Sequence, residues 1–387
     1  MNSLWLLLLP IAAASGWFIA HRDYQRKDRK ISGVSSDYIK GLNYLLNEQP
    51  DKAIEVFIRM VEVDVDTVET HLALGHLFRR RGEVDRAIRI HQNLIARPRL
   101  EGDIRTLALL ELGEDYMKAG LFDRAENLFQ ELIDLNEHTA RALAHLRDIY
   151  QQEQDWDKAI ESCKRLESIT GKSMNYVIAQ YYCEMSERAF NENDLKQAEK
   201  LAQKALSIDK KCVRGSILQA LVDSSNNNFT AAISSYKHVV KQDIDYFPEV
   251  IEPMLDCYHK TGNEQDMMDF LQSIVEHYNG ISPMLALAGL KREHGSDREA
   301  MDFVIEQLRK RPSVKGLNWL IELSLQHSQG DAKRNLMILY DLTHKLIENK
   351  PVYECNICGF AGKSIHWQCP GCKKWNTVKP IHGVEGE

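Results

Sequence analysis

A short helical segment built around one alanine returns along this chain at nearly constant spacing. The copies read DKAI at Ala53, DRAI at Ala87, DRAE at Ala125, DKAI at Ala159, KQAE at Ala198, TAAI at Ala232 and REAM at Ala300. Successive alanines lie 34, 38, 34, 39, 34 and 68 residues apart, and the last interval is twice 34. The copy missing from that double interval falls near Asp266-Met267, where NEQDMMDFLQSIVEHY carries the same helical pattern. A unit of this length is a pair of helices that cannot bury its own apolar stripe, so it must stack on its neighbours. The spacing therefore predicts an all-α superhelical solenoid. The intervals of 38 and 39 imply insertions of four and five residues, after Pro98 and after Thr170, expected in the turns between units.

Each copy follows one grammar. Turn glycines (Gly82, Gly120, Gly262) close a first helix, and an acidic residue (Asp51, Asp85, Asp123, Asp157, Asp194) opens the second, where it caps or charge-matches the helix N-terminus. The alanine is small because two helices cross closely there. Four residues on, a larger side chain fills the next gap: Phe57, His91, Phe129, Cys163, Tyr236. This grammar resembles the tetratricopeptide repeat, on Leu112, Gly113, Tyr116, Ala125 and Phe129 in one copy and on Gly41, Tyr44, Ala53 and Phe57 in the first. About eight units fit between Ser35 and Pro312, and Val314 to Glu348 reads as one more helical pair acting as a cap, so the solenoid is expected over 35–348. The resemblance implies a concave groove that holds peptides or proteins. In its register the first-helix residues Glu69, His76, Arg79, Arg141, Asp148 and Arg214 would line that groove as partner-binding residues.

The two ends differ from the repeats. Leu4 to Ala20 carry no charge, and Trp5 and Trp17 stand near the two ends of the run. An apolar helix of about 17–25 residues crosses the hydrocarbon core, so residues 1–20 are expected to be a transmembrane anchor. Arg22, Arg26, Lys27, Arg29 and Lys30 follow it, in a basic juxtamembrane linker over 21–34. Basic flanks stay cytoplasmic, which puts the N-terminus in the periplasm and the body in the cytoplasm. A cleaved signal peptide would need its basic residues before the apolar run, where only Met1-Asn2-Ser3 stand. A net charge of −7 argues against a nucleic-acid partner.

The chain ends in YECNICGFAGKSIHWQCPGCKKWNTVKP. Cys355 and Cys358 form one C-x-x-C, Cys369 and Cys372 another. Two such turns facing each other make a tetrahedral four-sulfur site for one iron or zinc ion, and four thiolates leave no open position, so the ion is structural. The ion is expected to fold residues 349–387, a segment too small for a core of its own. Cys163, Cys183, Cys212 and Cys257 are scattered through the repeats and read as small packed hydrophobes. The knuckles resemble those of rubredoxin, except that Lys373 replaces the usual trailing glycine of the second and the loop between them is short.

Anchor, repeats and knuckle in this order resemble the lipopolysaccharide assembly protein B family of Gram-negative bacteria (LapB, also called YciM). That resemblance implies an inner-membrane adaptor, not an enzyme, that regulates lipopolysaccharide synthesis by modulating degradation of the deacetylase LpxC by the membrane protease FtsH. It also implies a scaffold that gathers lipopolysaccharide assembly components. The residues themselves say less: a membrane-tethered protein-binding scaffold with a structural metal. A rubredoxin-like electron carrier is the alternative reading.

Overall fold

The alanine period becomes helix after helix. The computed structural model describes residues 36–47, 49–63, 68–98, 100–348 and 350–387. Residues 1–34, which include the expected Leu4–Ala20 span and its basic flank, lie outside the described residues. Eighteen α-helices and one small sheet are found among the described residues, in two units divided after Glu153. The first unit holds α1 (Ser36–Leu46), α2 (Pro50–Val63), α3 (Val68–Arg81), α4 (Val84–Ile95), α5 (Gly102–Ala119), α6 (Phe122–Asp134) and α7 (Thr139–Glu153). The second holds α8 (Trp156–Thr170), α9 (Asn175–Asn191), α10 (Leu195–Ile208), α11 (Val213–Ser225), α12 (Phe229–Gln242), α13 (Pro248–Thr261), α14 (Glu264–His277), α15 (Ser282–His294), α16 (Asp297–Lys310), α17 (Val314–His327) and α18 (Gly330–Glu348). A single 3-10 turn, Ile244–Tyr246, stands between α12 and α13.

Packing explains the period. All seven repeat alanines are 0 % exposed, and Met267 fills the missing eighth slot at 0 %. Three of the larger residues four positions on, Phe57, His91 and Phe129, are buried against glycines of the preceding helix. A β-carbon on Gly41 would meet the Phe57 ring at 2.6 Å, one on Gly113 the Phe129 ring at 2.6 Å, and one on Gly75 the His91 ring at 2.3 Å. Only a bare backbone lets these helix pairs close so far, and each buried aromatic contributes about 1.5–3 kcal/mol. The four scattered cysteines are likewise buried.

The turns are chemically explicit. Gly82, Gly120 and Gly262 take φ of +85°, +75° and +69°, the left-handed conformation that ends a helix. Where a copy lacks glycine, Gln154, Asn193 and Asn227 take it instead, at +59°, +64° and +59°. Asp51, Asp85, Asp123 and Asp157 sit in the first turns of α2, α4, α6 and α8, while Asp194 caps α10 by accepting from the Gln197 amide. The insertions depart from expectation: α5 has 18 residues and α9 has 17, against 14 in α3 and α13. The extra chain extends first helices because an added helical turn satisfies its own backbone groups, which an added loop does not. The last helix, α18, buries none of its residues and exposes Met337, Ile338, Leu339, Leu342 and Leu346.

The chain closes with β1 (Tyr353–Cys355), β2 (Ala361–Gly362) and β3 (Val378–Pro380), an antiparallel sheet in the order β2-β1-β3.

Candidate metal centre and the surface that holds it

Two matching turns build the centre. In the first, the Gly359 amide donates to the Cys355 carbonyl at 2.9 Å and the Cys355 amide to the Phe360 carbonyl at 2.7 Å. In the second, the Lys373 amide donates to the Cys369 carbonyl at 2.9 Å and the Cys369 amide to the Lys374 carbonyl at 2.9 Å. Gly359 has φ +72° and Lys373 +58°, so the second knuckle adopts the glycine conformation without the glycine. Gly371 is needed for space: a β-carbon there would lie 3.2 Å from Cys358 Sγ.

The four sulfurs converge. Cys355 and Cys372 are 3.7 Å apart, Cys358 and Cys369 3.5 Å, and all four lie within 4.8 Å of one another. A tetrahedral shell with metal–sulfur bonds of about 2.3 Å has edges of about 3.8 Å. The site therefore fits one ion, zinc or iron, held by Cys355, Cys358, Cys369 and Cys372. Burial opposes ionisation of Cys355, but the Thr377 hydroxyl and the amides of Cys358 and Ile357 outweigh it and bring the thiol down to about 6. For Cys358 the Phe360 amide favours the thiolate, yet desolvation and the neighbouring sulfurs prevail and push it up to about 11. Crowded sulfurs resist a second negative charge, which is the conflict a divalent cation removes.

Little else holds this segment together. Its apolar cluster consists of Cys355, Cys369 and Val378, with Tyr353, Phe360 and Cys372 packed alongside. Its two tryptophans turn outward onto the repeats of the second unit. Trp367 stacks on Tyr246 at 5.3 Å, and Trp375 meets the edge of Tyr181 at 6.0 Å. The Arg214 guanidinium lies 5.8 Å from the Trp367 ring. Tyr246 donates to the Val378 carbonyl, Tyr353 to Glu249 and Lys379 to Asp243. The tail adds the Val314 amide to the Val384 carbonyl at 2.7 Å, and Glu387 accepts from the Ser282 amide and hydroxyl at 2.8 and 2.6 Å. Two indoles in so short a segment exceed what it can bury by itself, and that excess is the signal that could have pointed to this docking.

The expected groove residues divide three ways. His76, Arg79 and Arg141 gather around Glu111 and Glu114 of α5, two acids at helical spacing that the repeat reading passed over. Arg79, 8 % exposed, reaches Glu111 at 2.6 Å, Glu114 at 2.8 Å and the fully buried Asp115 at 2.8 Å. Arg141 reaches Glu114 at 2.8 Å, and His76 Nδ1 lies 3.0 Å from Arg79. His91 Nδ1 stands 2.5 Å from the other Asp115 oxygen, which assigns the ring proton to that nitrogen. Burial opposes the charge on Glu111, but the neighbouring His76 and the hydrogen-bonded Arg79 guanidinium outweigh it and hold the carboxyl at about 2. Glu69 and Asp148 stay apart from this cluster: Glu69 is exposed on α3, and Asp148 pairs with Arg147 at 2.7 Å. Arg214 is 4 % exposed, bonded to Glu184 at 2.6 Å and to Glu187, and covered by Trp367.

Stacked helical repeats carrying a four-cysteine ribbon define a tetratricopeptide-repeat protein with a structural metal domain. Residues 70–104 and 110–173 match tetratricopeptide repeat families, and residues 353–380 match the rubredoxin metal binding domain. Lipopolysaccharide assembly protein B of Escherichia coli (strain K12) is 38 % identical over 388 residues, covering 100 % of both chains. That of Haemophilus influenzae is 35 % identical over 395 residues, again covering 100 % of both. This chain belongs to the lipopolysaccharide assembly protein B family. Among solved structures, the C-terminal part of a TPR repeat-containing protein from Cytophaga hutchinsonii covers 68 % of this chain and 98 % of its own, at 11 % identity and a TM-score of 0.41. Among the described residues no helix is long and apolar enough to cross a membrane.

Proposed function

We propose that this chain is an inner-membrane adaptor whose repeats hold protein partners of lipopolysaccharide synthesis. Residues 1–20 span the bilayer with the N-terminus in the periplasm, 21–34 link, 35–348 form the binding solenoid in the cytoplasm, and 349–387 are the metal domain. The observation that carries this reading is the seating of the metal domain. Its ion sets the shape of a repeat surface, since the sulfur shell is complete and its neighbours are docking aromatics. The exposed side chains of Glu69, His76 and Arg141, with the half-buried Asp148, would meet partners. Arg79 would position Glu111 and Glu114 for the same contacts, and Arg214 would position the metal domain.

The name of the relatives supports a role in lipopolysaccharide assembly, and the family resemblance supports FtsH and LpxC as the partners. A tether to the bilayer makes capture of a membrane protease partly intramolecular, which raises its effective concentration. The test is crosslinked capture from membranes, with and without residues 1–30, alongside LpxC turnover. Capture of FtsH that depends on the first thirty residues, and LpxC turnover that changes in a Cys355→Ser/Cys358→Ser variant, are the expected results. LpxC turnover indifferent to deletion of the whole chain would overturn the proposal.

A further inference from the structure

Helix-interior glycines in this fold have a reason to be glycine. At Gly41, Gly75, Gly113, Gly215 and Gly316 a β-carbon would press within 3.2 Å of a neighbouring side chain. Gly289, in the middle of α15, is different: a β-carbon there meets nothing within 4 Å. A glycine inside a helix destabilises it relative to alanine, and here no internal packing offsets that.

Gly289 faces a groove. Between α13 and α15, reaching Trp319 of α17, runs an open cavity of about 620 Å³. Ile251 and Leu290 form a buried apolar floor, with Leu255, Leu285 and Trp319 half-buried around it. The rim is acidic. Asp256 is paired with Lys260 at 2.6 Å, and His259 with Glu264 at 3.2 Å. Glu252 and Glu293 line the same cavity, both exposed, and no ion pair engages either of them among the described residues.

We propose that this groove receives a basic segment of a partner protein, anchored by one or two large apolar side chains. The floor takes the anchors, Glu252 and Glu293 meet lysine or arginine, and Gly289 leaves room for the approaching chain. An acidic segment would meet like charge and desolvated carboxylates. The inference deepens the adaptor reading and rests on it, by giving one stretch of repeat surface a ligand chemistry.

The test uses the full chain in lipid nanodiscs and two short fluorescein-labelled peptides. One carries leucine and tryptophan on one helical face and lysine elsewhere; the other has glutamate in place of lysine. The lysine peptide is expected to bind, and Gly289→Trp, which fills the groove, to weaken it at least ~10-fold, while Gly289→Ala binds as the parent does. Glu252→Lys/Glu293→Lys is expected to reverse the preference between the peptides, and it keeps the test decisive should Gly289→Trp fold poorly. Equal binding of both peptides, or binding indifferent to Gly289→Trp and to the double reversal, overturns the inference. A parent chain that still captures FtsH from membranes in that case leaves the adaptor reading standing; loss of that capture in the unaltered chain would defeat the adaptor reading itself.

Discussion

Arg79 and Arg214 are both buried guanidinium groups on first helices of repeats, one in each unit, and they are neutralised by different means. Arg79 is surrounded by the stack itself: Glu111, Glu114 and Asp115 all come from α5. Arg214 has two acids from α9, and its remaining face is closed by Trp367 of the metal domain. The first unit completes its polar interior with its own helices. The second borrows a separate module whose fold depends on four sulfurs. Metal should therefore matter to the second unit and not to the first.

Removing the ion breaks the comparison most directly. Structural zinc sites in small domains supply about 10–16 kcal/mol of apparent folding free energy. Chelation, or Cys355→Ser/Cys358→Ser, is expected to unfold residues 353–380 and to uncover Tyr181, Tyr246 and Arg214. Tryptophan emission should shift to the red, and hydrogen exchange should accelerate in α9, α11 and α13. Exchange in α3 and α5 should stay as it was. Equal acceleration in both units would end the distinction.

The arginines themselves give the next largest effect. Arg79→Met removes the guanidinium from Asp115, which is 0 % exposed and keeps only its His91 contact, and breaking a buried ion pair costs about 3–5 kcal/mol. Arg214→Met leaves Glu184 and Glu187, which are 30 % and 47 % exposed and can be re-solvated. Its cost should be nearer 1–2 kcal/mol, with a visible loosening of the metal domain. Urea unfolding of the two variants measures both. A larger loss for Arg214→Met would mean that docking against Trp367, not the carboxylates, dominates.

The sequence made the stack legible because its packing rule is local: an alanine and a larger residue four on recur in most copies, as Ala87 and His91 do, and even the absent alanine could be placed, as Met267. The metal ligands were legible because spacing alone defines them. The residues that meet in the docking were not, since Trp367 meets Tyr246 and Trp375 meets Tyr181 across more than a hundred residues of chain, and no periodicity links them. Nor was the role of His91. It occupies a phenylalanine slot, and only the fold brings Asp115 to its ring. Glu111 and Glu114 look like ordinary surface acids until Arg79 is placed between them.

Acid sharpens the contrast more gently. Glu111 is held at about 2, below its ordinary value of 4.5. A carboxyl depressed in the folded state adds stability that is present in full above about pH 4.5 and is lost as pH falls toward 2. After allowance for solvent at this half-open cluster the loss is about 1–2 kcal/mol. Hydrogen exchange of α3 and α5 amides should therefore quicken, after correction for intrinsic rates, between pH 5 and pH 3. In Glu111→Gln that pH dependence should largely vanish; if it persists unchanged, another acid carries it.

The smallest effect separates the two knuckles from each other. Gly359 and Lys373 do the same geometric task, at φ +72° and +58°, and only one is glycine. A left-handed residue with a β-carbon is strained by about 1–2 kcal/mol, but glycine also gives the unfolded chain more freedom to lose. Lys373→Gly should therefore tighten metal binding by only about 0.5 kcal/mol, a change of about twofold in a chelator competition. Lys373→Ala keeps the β-carbon and should bind as the parent does. The reverse change, Gly359→Lys, should weaken binding by a similar small margin, because the first knuckle would then match the second. If instead Lys373→Gly weakens binding, the lysine stem or its charge beside the thiolates outweighs the backbone, and the two turns are alike in shape only.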